Sequence, residues 1–166
     1  MPPTVLPLNS ILKGLPVILP IKSREEMNPA ELAEIDHYLK QANSGDADGQ
    51  FLTGLTCFAG YGTSKSYGAA VTWYLRAADQ GHAMAEYNLG ACYAGGFGVT
   101  QDYVQSVNWH RRAAERGYAP AQFNLGCRYF AGEGVEKNLK EAESLWRKSA
   151  DQGYAYAIEN LSKLMP

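Results

Sequence analysis

Residues 85–117 read AEYNLGACYAGGFGVTQDYVQSVNWHRRAAERG, and this stretch decides the fold. Within residues 85–94, apolar or small side chains recur at the i, i+4, i+7, i+8 spacing of an amphipathic helix, at Ala85, Leu89, Cys92 and Tyr93. The glycines of residues 95–98 end that helix, because glycine tolerates the left-handed backbone of a C-terminal stop. A second helix is predicted from about Tyr103 to Glu115, and Gly117 ends it. The stretch therefore predicts two helices joined by a glycine-rich loop.

The same pattern returns along the chain when the sequence is written in rows of 36 residues. Small residues then share columns in successive rows, namely Gly45, Gly81, Gly117 and Gly153; Ala47, Ala83, Ala119 and Ala155; Gly54, Gly90 and Gly126; and Gly60, Gly96 and Gly132. Leu89, Leu125 and Leu161 form a further column. Because so many columns coincide, each row is predicted to be one structural unit of two helices.

Partial units are predicted at both ends of the three full repeats. The stretch Asn28-Pro29-Ala30-Glu31 is a helix start, with Asn as the N-cap, Pro at N1 and Glu at N3, and this helix runs to about Asn43. Residues 157–164 form one more first helix. The predicted fold is all-α, an α-solenoid of stacked antiparallel helix pairs with three full repeats plus terminal half repeats. The solenoid domain is expected to cover residues 29–166, after a proline-rich apolar N-terminal segment of residues 1–28.

Two sets of columns predict how adjacent helices pack. Gly90 and Gly126 lie in mid-helix, where glycine costs about 0.5–1 kcal/mol relative to alanine. They are therefore expected to mark a close approach of two helix backbones. Trp73 and Trp109 are expected to fill the space between adjacent helix pairs.

Composition narrows the classes of function. An apolar fraction of 46% and a charged fraction of 19% predict a folded, soluble protein. A formal net charge of -2, with Lys and Arg scattered, argues against a nucleic-acid partner, because such proteins normally carry a basic face. Residues 1–21 lack the basic start and unbroken apolar run of a secretory signal, and also the roughly 20 consecutive apolar residues of a membrane span. A cytoplasmic protein without membrane insertion is expected.

The cysteines and histidines predict no reactive centre. Cys57, Cys92 and Cys127 are 35 residues apart, without the C-x-x-C pair or histidine cluster typical of zinc sites. Reduced, mostly buried thiols are expected, and a disulfide between neighbouring repeats is the alternative. The three histidines are isolated, and no Ser, Cys or Asp has an evident base beside it. The sequence therefore predicts no enzyme, no metal site and no cofactor.

At this point the repeat resembles a known family, the Sel-one-like repeat (SLR), a bacterial and eukaryotic relative of the tetratricopeptide repeat. The resemblance rests on AEYNLG at 85–90, GFGV at 96–99 and AAERG at 113–117, and on the closely similar AQFNLG at 121–126. The first repeat departs from the pattern, with Thr53, Cys57 and Thr63 in place of the expected Leu, Tyr and Val. Its helix-to-helix loop is therefore expected to be looser.

The resemblance implies an adaptor or scaffold that binds another protein or peptide, with the first helix of each pair lining a concave surface. By analogy with tetratricopeptide repeats, the expected partner-binding residues are Phe51, Leu55, Phe58, Tyr87, Asn88, Ala91, Phe123, Asn124, Cys127, Phe130 and Asn160. Two alternatives stay open. One is that Tyr87 and Phe123 belong to the core between repeats, and the other is that each Asn bonds the neighbouring repeat rather than a peptide backbone.

A second function is compatible with the same fold. A dedicated inhibitor or immunity-type protein would sequester one cognate enzyme or effector through its convex face or its N-terminal segment. That segment is expected to cover the end of the half repeat that begins at Pro29, with docking of a partner as the alternative. Neither the identity of the partner nor the oligomeric state follows from the sequence.

Overall fold

The computed structural model describes residues 22–164 and shows a stack of α-helices. After a short 3₁₀ helix, Arg24–Glu26, come eight α-helices in this part of the chain: α1 (Pro29–Asn43), α2 (Ala47–Ala59), α3 (Tyr67–Asp79), α4 (Ala83–Gly95), α5 (Tyr103–Glu115), α6 (Ala119–Ala131), α7 (Leu139–Asp151) and α8 (Ala155–Leu164). Each helix packs against the next. The pairs α2–α3, α4–α5 and α6–α7 are the three full repeats, and α1 and α8 are the terminal half repeats, so the predicted solenoid is confirmed.

The helix boundaries follow from the local sequence. The Asn28 side chain accepts hydrogen bonds from the backbone N–H groups of Ala30 and Glu31, and the Glu31 carboxylate accepts one from the Asn28 N–H in return. This capping box begins α1 as predicted. In the full repeats the second helix begins after a side-chain cap at one repeat position, occupied by Ser66, Asp102 and Asn138.

The first helix of each pair, here called the A helix (α2, α4, α6 and α8), ends at a glycine in the three full repeats. Gly60, Gly96 and Gly132 have φ values of 75°, 70° and 75°, a left-handed conformation that a side chain would strain. The chain then turns back into the second helix, here called the B helix (α1, α3, α5 and α7). The period of the sequence is therefore the period of the hairpins.

The mid-helix glycines of the A helices lie against rings of the B helices. A Cβ built on Gly54 would lie 2.6 Å from the Tyr74 ring, and one built on Gly126 would lie 2.6 Å from Nε1 of Trp146. The ring of His110 takes the same place against Gly90. Each glycine makes room for a ring of the B helix. The expected close approach of the helix backbones accompanies this in two repeats, where the carbonyl oxygens of Ala70 and Ala142 would lie 3.3 and 3.1 Å from a Cβ on Gly54 and Gly126.

The rings of the B helices occupy two kinds of place, and Trp109 packs against the core cluster that spans the first and second repeats, in line with its expected place between adjacent pairs. Tyr74, His110 and Trp146 share one column and are buried, whereas Trp73 and Trp109 are only half-buried. Arg76 and Arg112 lie over the Trp73 and Trp109 rings, each 4.6 Å from the centroid. Rings of the Tyr74 column fill the space between the two helices of one pair, a role that the sequence analysis did not assign to them.

A buried polar position of the A helix bonds to the C-terminal part of the B helix in each full repeat, and the bonding differs in the middle repeat. The Gln80 amide donates to the Gln50 side chain at 2.9 Å, and the Gln152 amide donates to that of Gln122 at 2.8 Å. At the same position of the second repeat, Glu86 is fully buried and accepts hydrogen bonds from Nε of Arg112 and of Arg116, both at 3.0 Å. The middle repeat is thus held by an ion triad where its neighbours have glutamine pairs.

Residues 22–28 contact the N-terminal end of the stack. The Lys22 carbonyl accepts a hydrogen bond from the Gly62 N–H at 2.9 Å, its ammonium lies 2.8 Å from the Glu31 carboxylate, and Met27 is buried. The expected covering by the N-terminal segment concerns mainly residues 1–21, which lie outside the described residues. None of the helices described is long and apolar enough to cross a membrane.

Candidate partner-binding surface

The sequence-predicted partner-binding residues all lie on A helices, but they differ in accessibility. Phe130 and Ala91 are exposed. The half-buried members are Leu55, Phe58, Tyr87, Asn88, Phe123, Asn124, Cys127 and Asn160. We call these residues, without Phe51, the A-helix surface.

Phe51 belongs to the core. Its side chain is 2% exposed, and its ring stacks on His82 with centroids 4.6 Å apart. A second ring, that of Tyr74, lies 6.1 Å away. Phe51 therefore offers no surface to a partner, and the sequence analogy misplaced it because the equivalent ring in later repeats is less covered.

Tyr87 and Asn124 link the second and third repeats. The Asn124 amide donates a hydrogen bond to the Tyr87 hydroxyl at 3.3 Å. The Tyr87 ring packs edge-on against Tyr118, with centroids 5.3 Å apart. Burial raises the pKa of Tyr87, and the hydrogen bond from Asn124 partly offsets this. For these two residues the structure shows the inter-repeat contact that the sequence left as an alternative.

Asn88 and Asn160 lie one period before and after Asn124, but their side chains lack the hydrogen bond that Asn124 makes. The residue in the position of Tyr87 is Phe51 for Asn88 and Phe123 for Asn160, and neither phenylalanine has a hydroxyl. No hydrogen bond of the Asn88 or Asn160 side chain is formed within residues 22–164. Two half-buried amides therefore keep a donor and an acceptor for a ligand.

Aromatic rings accumulate at the C-terminal end of the A-helix surface. The Phe123 centroid lies 5.5 Å from that of Tyr154 and 6.2 Å from that of Tyr156. Phe130, 43% exposed, lies 5.5 Å from Trp146. Tyr156 is more exposed still. It was not predicted, because its repeat position, occupied by Met84 and Pro120 in the preceding units, is not among the positions used in the analogy. This end combines ring faces with half-buried amides.

A second group of exposed apolar side chains follows the loops between A and B helices. Phe58 packs on Tyr67 and on Phe97, with centroids 4.8 and 5.8 Å away. Phe97, Tyr103, Val104 and Leu139 are exposed along the same edge. The sequence reasoning missed this edge because these residues lie outside the A-helix columns used for the analogy.

The arginines near this surface are engaged within the chain. The Arg128 guanidinium pairs with the Glu133 carboxylate and lies 4.9 Å from the Tyr103 ring centroid. Arg111 donates to the Tyr129 hydroxyl at 3.3 Å, and Arg112 belongs to the Glu86 triad. These three side chains are therefore not positioned to bind an acidic partner.

The thiols and the buried histidine have pKa values that fit a packing role. Cys57, Cys92 and Cys127 are free thiols, so the alternative of a disulfide is not realised. Burial raises the pKa of all three and takes that of Cys92 to about 11. Burial, reinforced by the charge of Arg128, lowers the pKa of His110 to about 4. Protonated thiols are poor nucleophiles at neutral pH, and within residues 22–164 no group of three or more His, Cys, Asp or Glu side chains could hold a metal ion.

Comparison with known proteins gives a family match over most of the described chain. The model of the Sel1 repeat matches three consecutive segments, residues 47–82, 83–118 and 119–154. These segments coincide with the three helix pairs and their following turns. No curated protein matches the chain in sequence.

The solved structures that are similar to this one include three Sel1-like proteins. The first is c5321 of uropathogenic Escherichia coli, a protective antigen displaying an SLR fold, with 41% identity over 72% of this chain and a TM-score of 0.70. The second is a Sel1 repeat protein from Oxalobacter formigenes, with 35% identity over 76% of this chain and a TM-score of 0.73. The chain spans 26% and 51% of the length of these two proteins. Helicobacter pylori cysteine rich protein B shares the fold, with 22% identity, coverage of 77% of this chain and 92% of that protein, and a TM-score of 0.61.

Proposed function

The chain belongs to the Sel1 repeat family, whose repeats commonly mediate protein–protein interactions, and we propose on this premise that it is an adaptor that binds a partner protein or peptide on the A-helix surface. The observation that carries the proposal is the pair of half-buried amides, Asn88 and Asn160, whose hydrogen-bonding groups are unpaired within residues 22–164. An extended peptide presents one N–H and one C=O per residue, and an Asn amide matches both.

Apolar side chains around the amides supply the rest of the proposed contact. Phe130 and Ala91 are the exposed members, and Tyr87 and Phe123 form a half-buried aromatic floor. Aromatic side chains contribute large contact area at low conformational-entropy cost, which suits them to interfaces. The proposed role is binding without catalysis, in keeping with the raised pKa values of the thiols.

The proposal extends to organisation and location. Residues 29–166 are taken as the interaction domain and residues 1–28 as an N-terminal segment. A cytoplasmic location is proposed because the three thiols are free and partly or fully buried. The inhibitor or immunity-type role remains an alternative that the test below separates.

Site-specific photo-crosslinking in cells of the source organism tests the proposed surface. A benzophenone amino acid replaces Ala91, which is exposed on α4, or Gln105, which is exposed on α5 of the B side. Crosslinks from position 91 are expected, and their loss in the variant Asn88→Ala with Asn160→Ala is expected while helical content is unchanged. Asn43→Ala, an exposed amide at the end of α1, is the matched control. Crosslinks from position 105 alone would refute the proposed surface and favour the alternative role.

A further inference from the structure

An open crevice of about 720 Å³ lies in the first repeat, where α1, α2 and α3 meet. It is separate from the A-helix surface. Ile35, Leu39 and Trp73 give it apolar walls, and Thr53 and Cys57 line it from α2. Residues 23–26 lie at its edge, with the hydroxyls of Thr63 and Ser64 beside them.

The third repeat has the same crevice in a much smaller form. Its volume is about 190 Å³, and its lining includes Leu125 and Tyr129, two periods after Thr53 and Cys57. Leu145 occupies there the position of Trp73. Because leucine is smaller than tryptophan, this exchange alone would make the third-repeat crevice larger, not smaller. The larger volume therefore does not come from the position of Trp73, and two residues of α2 contribute to it beside the walls that residues 23–26 and the loop after α2 add. Thr53 and Cys57 are smaller than Leu125 and Tyr129, so they leave unfilled the space that these two side chains occupy in the third repeat.

The first-repeat crevice also contains an unsatisfied polar group. Thr53 is 5% exposed, and its hydroxyl has no hydrogen-bond partner among the described residues. The Thr56 hydroxyl donates to the Thr53 carbonyl at 2.8 Å, but nothing bonds the Thr53 hydroxyl itself. Leaving a buried hydroxyl unpaired costs about 1–3 kcal/mol. A ligand that bonds this hydroxyl would recover that cost.

We propose that the first-repeat crevice binds a phenol group, that is, an aromatic ring with a hydroxyl, in the place that Tyr129 fills in the third repeat. In the third repeat the phenol hydroxyl accepts a hydrogen bond from Arg111 at 3.3 Å. Leu39 of α1 stands at the position that corresponds to Arg111, so the polar contact for a bound phenol comes from the Thr53 hydroxyl, since Arg24 at the edge is paired with Asp36 at 2.7 Å. Ile35 and Trp73 provide the apolar contact for the ring. The phenol can be a small molecule or a tyrosine side chain of a partner.

The test uses the full chain, labelled with ¹⁵N and titrated with 4-ethylphenol, with N-acetyltyrosine amide and with ethylbenzene. Saturable shifts are expected at the amides of Thr53 and Cys57 and at the Trp73 indole. Ethylbenzene is expected to bind about fivefold more weakly, which corresponds to the loss of one hydrogen bond. Tighter binding of N-acetyltyrosine amide than of 4-ethylphenol identifies a tyrosine side chain as the source, and the reverse order identifies a small phenol.

Two matched variants locate the site. Thr53→Leu with Cys57→Tyr gives the first repeat the residues of the third and is expected to abolish binding. Leu125→Thr with Tyr129→Cys opens the third repeat and is expected to create a second site there. Thermal melting shows whether each variant is folded. A third variant, Thr53→Val, keeps the shape of the side chain but removes the hydroxyl, and it is expected to bind 4-ethylphenol only as tightly as ethylbenzene. Absence of saturable shifts, shifts confined to other residues, or unchanged binding in the filled variant would overturn the proposal.

Discussion

Gly90 lies directly against the His110 ring, so that a Cβ built on Gly90 would be 2.5 Å from Nε2 of His110. Gly54 with Tyr74 and Gly126 with Trp146 repeat this relationship one period before and after. In the third repeat the indole N–H donates to the Phe123 carbonyl at 3.1 Å, which fixes the ring against α6. In each full repeat the A and B helices therefore pack through the contact of one glycine with one ring.

Replacing Gly90 by alanine is expected to destabilise the fold. The added methyl group has to displace the His110 ring, and overpacking of this kind costs about 1–3 kcal/mol. Urea unfolding followed by circular dichroism measures the change. Gly68→Ala is the matched control, because nothing lies within 4 Å of a Cβ at Gly68 in α3, and the better helix propensity of alanine is expected to stabilise by up to about 1 kcal/mol. Equal effects of the two substitutions would contradict the packing argument.

Much of the fold could be predicted because local signals agree with the repeat. Three signals predicted helix boundaries that the structure reproduces. They are the capping box at Asn28, the glycines that end the A helices at Gly96 and Gly132, and the 36-residue period. The predicted bounds of α5, from Tyr103 to Glu115, are those observed. These features depend on a few neighbouring residues, which the sequence displays directly.

The side-chain surroundings could not be predicted equally well, because they depend on how neighbouring helices rotate against each other. Trp109 and His110 are adjacent in sequence, yet the histidine is buried and the tryptophan only half-buried. Hydrophobicity alone favours the opposite arrangement. Phe51 was misplaced for a related reason, since the analogy aligned it with Tyr87 although its surroundings differ. The crevice of the first repeat did have a signal, in the departures at Thr53 and Cys57.

The buried His110 is expected to make stability depend on pH. Neither ring nitrogen makes a hydrogen bond of good geometry among the described residues, and burial with the Arg128 charge lowers the pKa to about 4, partly offset by the Tyr87 carbonyl. In the unfolded chain a histidine has a pKa of about 6.5. The unfolded state therefore binds the proton first, and stability is lost as the pH falls from about 6.5 to about 4, by about 2–3 kcal/mol in total.

Comparison with His110→Phe isolates this contribution. Phenylalanine keeps a ring against Gly90 and does not titrate, so the loss of unfolding free energy between pH 7 and pH 5 is expected to be smaller in the variant. Burial also lowers the pKa of His82, but that residue is present in both proteins and its effect cancels in the difference. Parallel pH profiles of the two proteins would show that His110 has no lowered pKa.

The ion triad of the second repeat is expected to be replaceable by the glutamine pair of its neighbours. Glu86→Ala removes the buried carboxylate and opens a cavity, while Arg112 and Arg116, with side chains 43% and 47% exposed, stay solvated. The loss of the hydrogen bonds to the carboxylate is expected to cost about 1.5–3 kcal/mol. Glu86→Gln with Arg116→Gln instead reproduces the Gln50–Gln80 arrangement of the first repeat.

The carbonyl groups explain why the double variant should fold well. Gln50 and Gln122 donate to the carbonyls of Ala42 and Ala114, at 3.4 and 3.3 Å. Glu86 has no donor, and Arg112 bonds the corresponding Ala78 carbonyl at 3.1 Å. A glutamine at position 86 restores that donor, so the double variant is expected within about 1 kcal/mol of the wild type by urea unfolding. A loss as large as that of Glu86→Ala would mean that the charges themselves hold the repeat.

The hydroxyl of Tyr87 decides whether Asn124 is bonded within the chain or left free, as Asn88 and Asn160 are. Tyr87→Phe places at this position the residue that Phe51 and Phe123 already provide in the first and third repeats, so the ring contact with Tyr118 is retained. The loss of one part-buried hydrogen bond is expected to cost about 0.5–1.5 kcal/mol of unfolding free energy. Because the Asn124 amide then becomes available, crosslinking from position 91 is expected to persist or increase. If Tyr87→Phe abolishes the crosslink as thoroughly as the Asn88 and Asn160 substitutions together, the tyrosine hydroxyl itself contacts the partner, and the pair of Asn amides does not carry the binding alone.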